Sequence, residues 1–554
     1  MVHLPRRRAP PGARDANTNI IRGLGLHDAY HLAMEVLGQL RGTIVACRYC
    51  PPSGLTSSEN IVSLKAKLYD AVVHVVLAQP HMQTGIVGET SKKPKFVRLD
   101  SFELRNHVEW ISLEGSKDSE AQYLKTMQFN LDAKFSNIST RPGWNIVVLH
   151  MAGAGCIDVI YDWDHTHHDG MSGKIFHQQL LQNLNKKVEP NMEIPAVRNA
   201  DEDPDHWIVD LPDCSDKLPP PPEDLSAFPS SVPWLAKTLF NEVKPPKLFP
   251  PGDTYAKWAP IKTSPYKTRF RTFTIGHEIV TRVVEACRQH QTTVTGLLHG
   301  LILLSLSSQL REMKGFASRT PFDLRQILPS RPRRYPWLEP KEAMCNYVSA
   351  VDHEFDARLV AEIRAKLPGA AKAEGEALAE AGRPLPADLM DLVWSVSARI
   401  RWEIKSTLDA GGRNDFIGLM KLAGDFKDVQ RSEARKPRHL SWLVTNLLTM
   451  DGKEGETEVA AGIDGTLCDS HEHEEEGNER QKHGLEGGSW SVRRAELVLS
   501  AEVCSAAISV SLVTVKDEQM AVTCSWQDCA VEAGIGEGLL NDLEGWLNEI
   551  GSVG

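Results

Sequence analysis

Hydrophobic positions along this chain follow two periods, and the switches between them mark its elements. Ile61, Leu64, Leu68, Val72, Val75 and Val76 recur near every 3.6 residues, which predicts a helix over 61–77 that Pro80 closes. Residues 96–99 and 144–151 read as strands. In 156–163 the pattern alternates, with Ile157, Val159, Tyr161 and Trp163 on one face. The small residues 152–155 before it make a turn, so 144–163 is expected to be a hairpin. After Ser172 the period lengthens again: Ile175, Phe176, Leu180, Leu181 and Leu184 share one side of a helix.

A second series of elements starts near Arg269. Helices are expected at 278–290, 295–310 and 387–408. Ile508, Val510 and Leu512 alternate with polar or small neighbours, as do Met520, Val522, Cys524 and Trp526, giving a hairpin about a turn at 516–519. Leu539, Leu540, Leu543, Trp546 and Leu547 form the apolar side of a last helix. Segment 20–40 has the pattern of an amphipathic helix (Ile20, Ile21, Leu24, Leu26, Leu32, Met34, Val36, Leu37, Leu40). It is expected to pack on the protein's own core, with attachment to a membrane surface left open.

Between these series the composition shifts. Residues 1–16, rich in Arg and Pro, read as a disordered N-terminus. Residues 17–187 form a first α/β subdomain. The proline-rich stretch 188–266, which holds Pro219, Pro220, Pro221, Pro222, Pro250 and Pro251, reads as an extended crossover. Residues 267–554 form a second subdomain, interrupted at 453–489 by an acidic, apolar-poor insert expected to be disordered. His471 and His473 lie in that insert without a spacing that fixes a metal geometry.

The size agrees with two halves. The chain has 554 residues, 41% of them hydrophobic, enough for a large core. Its net charge of -11 argues against a nucleic-acid binder, which would present a basic face. Ten cysteines over this length do not make a disulfide scaffold. Cys47 and Cys50 lack the second pair or the context that would make them a zinc or redox site. No apolar run approaches the roughly 20 residues of a membrane span, and the basic N-terminus has no apolar stretch behind it. A cytoplasmic protein is expected.

The chemistry concentrates in Asp164-His165-Thr166-His167-His168-Asp169-Gly170, a loop between a buried strand and a helix. An imidazole titrates near neutral pH, which suits a general base. A carboxylate four residues on can orient a histidine, or hold the loop by pairing with an arginine. Gly170 is expected to let the backbone turn into the helix. The histidines crowd together, but adjacent His167 and His168 diverge on most backbones and no distant ligand is evident, so no metal site is expected. The chain lacks G-x-S-x-G, and Ser172 reads as a helix-cap residue rather than a nucleophile.

His165-x-x-x-Asp169-Gly170 at a strand-to-helix junction resembles the H-x-x-x-D-G signature of the CoA-dependent acyltransferase superfamily, and among its members fungal alcohol acetyltransferases and trichothecene O-acetyltransferases. Asp323-Leu324-Arg325 followed by Cys345-Asn346-Tyr347 resembles that superfamily's D-x-R and N-Y segments. Thr445-Asn446-Leu447-Leu448 is similar to its S-N-L-G strand, with leucine in the glycine's place, and Trp526-Gln527-Asp528 also fits. The D-F-G-W-G motif of the plant branch is absent.

The resemblance implies a chloramphenicol acetyltransferase-like α/β fold: two similar mixed-sheet subdomains with an active-site tunnel between them. It implies that His165 is the general base and that Asp169 is structural, paired with Arg325 from the other half. Asn446, with Thr445, becomes the candidate oxyanion donor. Acyl-CoA, acetyl-CoA above all, is the implied co-substrate and a small-molecule alcohol the acceptor, with no bound cofactor and no metal. An anionic CoA in a chain of this charge needs a local basic patch. A monomer is expected, cytoplasmic or peripheral on the endoplasmic reticulum or lipid droplets. Two other readings stay open: a condensation-type enzyme using carrier-protein-bound donors, and a non-catalytic relative.

Overall fold

The computed structural model describes residues 19–113, 119–151, 155–186, 196–199, 206–243, 251–367, 384–453 and 488–552. The expected disorder at 1–16, most of the acidic insert, and parts of the crossover lie outside these residues.

Two mixed sheets organise the chain. The first runs, edge to edge, Ser491–Leu499, Thr43–Cys50, Ile157–Trp163, Trp144–Met151 and Val108–Leu113, with only the last pair parallel. The expected hairpin forms, pairing Val148 with Val159 and Trp144 with Trp163. All of Ile157–Trp163 is buried because both faces are covered. Val159, Tyr161 and Trp163 meet the helices Ile61–Ala78 and Gly170–Asn185. Ile160, with Ile44, Ala46 and Val147, meets Tyr123, Met127 and Leu131 of helix Ser119–Asp132. Cys47 and Cys50, an odd number of residues apart on one strand, fall on opposite faces, and neither is in a disulfide.

The second sheet has the order Thr268–Gly276, Gln519–Gln527, Ile508–Val515, Trp442–Met450, Phe316–Asp323 and Val348–Phe355. Helix Val294–Gln309 is sealed on nearly every side, packed with helices Ala387–Asp409 and Ala533–Ser552 on one face of this sheet. That explains why its sequence, Leu297 to Leu306, is apolar almost without a polar stripe. The hairpin of Ile508–Val515 and Gln519–Gln527 turns through Asp517 at φ 60°.

Chain order and space part company at one strand. Ser491–Leu499 lies within the second half of the sequence, yet it pairs antiparallel with Thr43–Cys50 and completes the first sheet. It also packs against Ile508–Val515 and Gln519–Gln527, joining the two halves. Segment 20–40 is not one helix. Ile20–Gly23 is a strand paired with Lys95–Arg98, and the helix is Leu26–Val36. Leu32 and Met34 face the protein interior, and the helix also packs on Phe426–Glu433. Backbone pairing at its start overrode the amphipathic period.

Candidate active site

The loop after Ile157–Trp163 is shaped by its own side chains. Asp164 Oδ1 accepts the Thr166 backbone N–H at 2.7 Å, and the Asp164 carbonyl accepts from His167 N at 3.0 Å. This Asx turn sets His165 at its tip. The three loop imidazoles then differ sharply in environment. His167 and His168 are fully buried, and burial holds the pKa of both below the ordinary histidine value. Tyr161 Oη lies 3.1 Å from His168 Nδ1, and the His168 carbonyl accepts from Trp163 Nε1 at 2.8 Å. His165 alone of the three is only partly buried. Its Nδ1 is buried with no hydrogen-bond partner among the described residues.

Asp169 caps helix Gly170–Asn185. Its Oδ1 accepts from Ser172 N at 2.9 Å and from Ser172 Oγ at 2.8 Å. Oδ2 takes Tyr347 N at 2.8 Å and Arg325 Nη1 at 2.6 Å, and Arg325 Nη2 reaches Oδ1 at 3.3 Å. The cap is therefore Asp169, with Ser172 as its partner three residues on. Ser172 Oγ in turn accepts from Cys345 N at 3.0 Å, a bond to the other half.

Burial alone would raise the Asp169 pKa, but the Arg325 guanidinium and Ser172 outweigh it and hold the carboxyl below its usual range. Both side chains of the pair are 2–3% exposed. The D-x-R spacing has a local cause: Asp323 Oδ1 accepts both the Arg325 backbone N–H at 3.0 Å and Nη1 at 2.9 Å, bending Arg325 back toward the loop. Carbonyls of Pro340, Ala343 and Cys345 take further guanidinium hydrogens.

Gly170 is not in the left-handed region, contrary to the expectation that it eases a backbone turn. A Cβ there would come within 3.2 Å of Leu447 Cδ2, a residue of the second sheet. The glycine makes room between the halves.

This arrangement, a loop histidine at a strand-to-helix junction backed by a carboxylate locked to the opposite half, lies inside a recognisable family region. Residues 112–355 match the alcohol acetyltransferase family. The chain is an acyltransferase similar over this region to the alcohol acetyltransferases.

The matched region holds His165, Asp169, Gly170 and Arg325. A probable alcohol acetyltransferase of Fusarium pseudograminearum, FCK4, is 29% identical over 549 residues, 97% of this chain and 96% of that protein. A probable alcohol acetyltransferase of Aspergillus fumigatus, crmB, is 23% identical over 86% of this chain and 89% of its own length. Among solved structures, the trichothecene 15-O-acetyltransferase TRI3 of Fusarium sporotrichioides superposes with a TM-score of 0.61 at 12% identity, covering 95% of this chain and 94% of that one. The first condensation domain of the calcium-dependent antibiotic synthetase gives 0.55 at 11% identity, covering 96% and 97%. The fold is thus the chloramphenicol acetyltransferase-like one.

Asn446 lies outside residues 112–355, the region matched to the family. Its Nδ2 donates to Thr295 Oγ1 at 3.1 Å and its Oδ1 accepts Leu448 N at 2.7 Å. Those bonds stabilise a bulge at which Leu448 is left at φ 60° and 45% exposed. A leucine in the left-handed region costs on the order of 1–2 kcal/mol, which a glycine would avoid. Lys174 of the helix donates to the Leu447 carbonyl at 3.2 Å and also to that of Thr449, tying this bulge to the loop helix.

Two neighbours of His165 carried no role in the sequence reading. Asn346 Nδ2 donates to the His165 carbonyl at 2.8 Å. The ring of His31 stacks on that of His165, centroids 4.1 Å apart and planes 23° from parallel. The available signal for His31 was its i, i+4 spacing from His27 on one helix face.

Proposed function

We propose that the chain transfers an acyl group, acetyl foremost, from acyl-CoA to the hydroxyl of a small-molecule alcohol, with His165 as general base. The carrying observation is the division of labour in the loop. Asp169 has both carboxylate oxygens committed to Arg325, Ser172 and Tyr347, so it neither exchanges protons with substrate nor orients His165. His165 is the one loop histidine that is only partly buried.

In the reaction, the imidazole takes the acceptor's hydroxyl proton as the oxygen bonds to the thioester carbonyl. The tetrahedral oxyanion then collapses, the carbon–sulfur bond breaks, and the imidazolium returns its proton to the departing thiolate. A hydroxyl is so weak an acid that a placed base contributes about 10²–10⁴ in rate. A donor must meet the oxyanion, and Asn446 is its candidate, one amide hydrogen being held by Thr295. Neither a covalent acyl-enzyme nor a metal enters the scheme. The relation to alcohol acetyltransferases supports the alcohol acceptor and the acyl-CoA donor.

The test is thiol release from acetyl-CoA across a panel of alcohols, with His165→Ala alongside. The variant should stay folded and lose at least about 100-fold in turnover. Turnover near that of the parent would overturn the assignment.

A further inference from the structure

Helix Leu26–Val36 carries His31 over the proposed base from the side opposite its own loop. Beyond the stacked contact with His165, the ring of Tyr30 meets His31 edge-on at 5.3 Å and 81°. Tyr30 is held in turn by Phe416 at 5.9 Å and Phe426 at 6.0 Å. His31 is therefore clamped between the base and Tyr30, whose ring two phenylalanines of the second half hold.

Asn346 decides the protonation of this ring. A carbonyl oxygen only accepts, so the Asn346 atom 2.8 Å from the His165 carbonyl must be the amide nitrogen. The same nitrogen is 2.9 Å from His31 Nδ1, and its second hydrogen is directed there. His31 Nδ1 then holds a lone pair, and the neutral ring carries its hydrogen on Nε2. The His27 carbonyl lies 3.1 Å from that Nδ1 and would favour a proton on it, at the cost of the Asn346 bond. Burial, then the nearby His165 and His27, keep the His31 pKa well below the ordinary histidine value. His27, on the same face, is likewise lowered to about 3 by burial and by His165, with Asp169 opposing. His168, which also interacts with His165, is likewise held well below the ordinary value by burial, with His167 and Arg325 adding to the effect. His31 thus presents a neutral π-face to the His165 ring stacked on it.

We propose that His31 is a positioning residue for His165, holding its ring by stacking and stabilising the imidazolium formed when the base takes the hydroxyl proton. This rests on His165 being the base. A ring face over a cation within 6 Å is attractive, and the benefit arises only while His165 is charged, so it acts on the chemical step rather than on substrate binding.

The experiment is the pH dependence of kcat and KM, with acetyl-CoA and an alcohol that supports turnover, for His31→Leu, His31→Phe and His165→Ala. His31→Leu should lower kcat about 3- to 30-fold, leave the KM for acetyl-CoA within about twofold, and move the acid limb of kcat to lower pH. His31→Phe, which restores a neutral ring face, should recover most of kcat and the limb. Parent-like kcat and limb in His31→Leu, or a phenylalanine variant as impaired as the leucine one, would overturn the inference while an inactive His165→Ala left the base assignment standing. An active His165→Ala would instead remove the base assignment itself.

Discussion

The Asp169–Arg325 pair joins the two halves beneath the base, and cutting it should be costly. Asp169→Ala removes a carboxylate that takes Arg325 Nη1 at 2.6 Å, Tyr347 N at 2.8 Å and Ser172 N at 2.9 Å. Breaking a buried ion pair from one side costs about 3–5 kcal/mol, and losing a helix cap about 1 kcal/mol more. The stranded guanidinium keeps Asp323 at 2.9 Å and three carbonyls, which moderates the loss. A net loss of about 3 kcal/mol is expected, and with a urea slope of about 3 kcal/mol/M the midpoint falls by about 1 M.

The assay is urea unfolding of Asp169→Ala, Arg325→Met and the double variant. Because the double variant strands neither partner of this pair and leaves only the partly exposed Asp323 without its arginine, it should cost less than the sum of the singles by about 2 kcal/mol or more. The sign with pH follows from the lowered Asp169 pKa: its contribution is fully present above the ordinary aspartate value of about 4 and is lost only as pH falls through the depressed one. The gap between parent and Asp169→Ala should therefore stay constant from pH 5 to 8. Additive single variants, or a midpoint unchanged by Asp169→Ala, would refute the reasoning.

Two further outcomes are expected. Gly173→Ala gains about 1 kcal/mol of helix propensity, yet its Cβ would sit 2.6 Å from Trp163 Cη2 and 2.7 Å from Val45 Cγ2; overpacking of about 1–3 kcal/mol wins, so thermal unfolding should show a net loss, and a stabilised variant would contradict the packing. His177 is buried between Tyr49 Oη at 2.9 Å and the Val45 carbonyl at 2.9 Å, with its pKa lowered to about 4 by burial. The unfolded chain takes up that proton first, so stability falls as pH drops from about 6.5 toward 4, by about 3 kcal/mol from this group. The advantage of the parent over His177→Gln in urea should shrink over that window, and a pH-independent difference would rule the group out.

Local pattern carried the strand–loop–helix that presents His165, because alternation and the 3.6-residue period are properties of neighbouring residues. The partnership of Asp169 with Arg325 was legible only through family likeness, since 156 residues separate them and nothing in their spacing brings them together. Strand Ser491–Leu499 shows the same limit: its side-chain pattern prescribes two faces but not Thr43–Cys50 as its neighbour, and a pairing across that distance is set by which sheet edge the folded halves leave open. The reason for Gly170 is likewise a contact, with Leu447 of the other sheet, rather than a backbone angle. His31 reaches His165 only because helix Leu26–Val36 is wedged between the halves. Sequence periodicity dictates what each element buries, whereas the meeting of imidazole with imidazole and of carboxylate with guanidinium depends on long-range packing, for which adjacent residues hold no instruction.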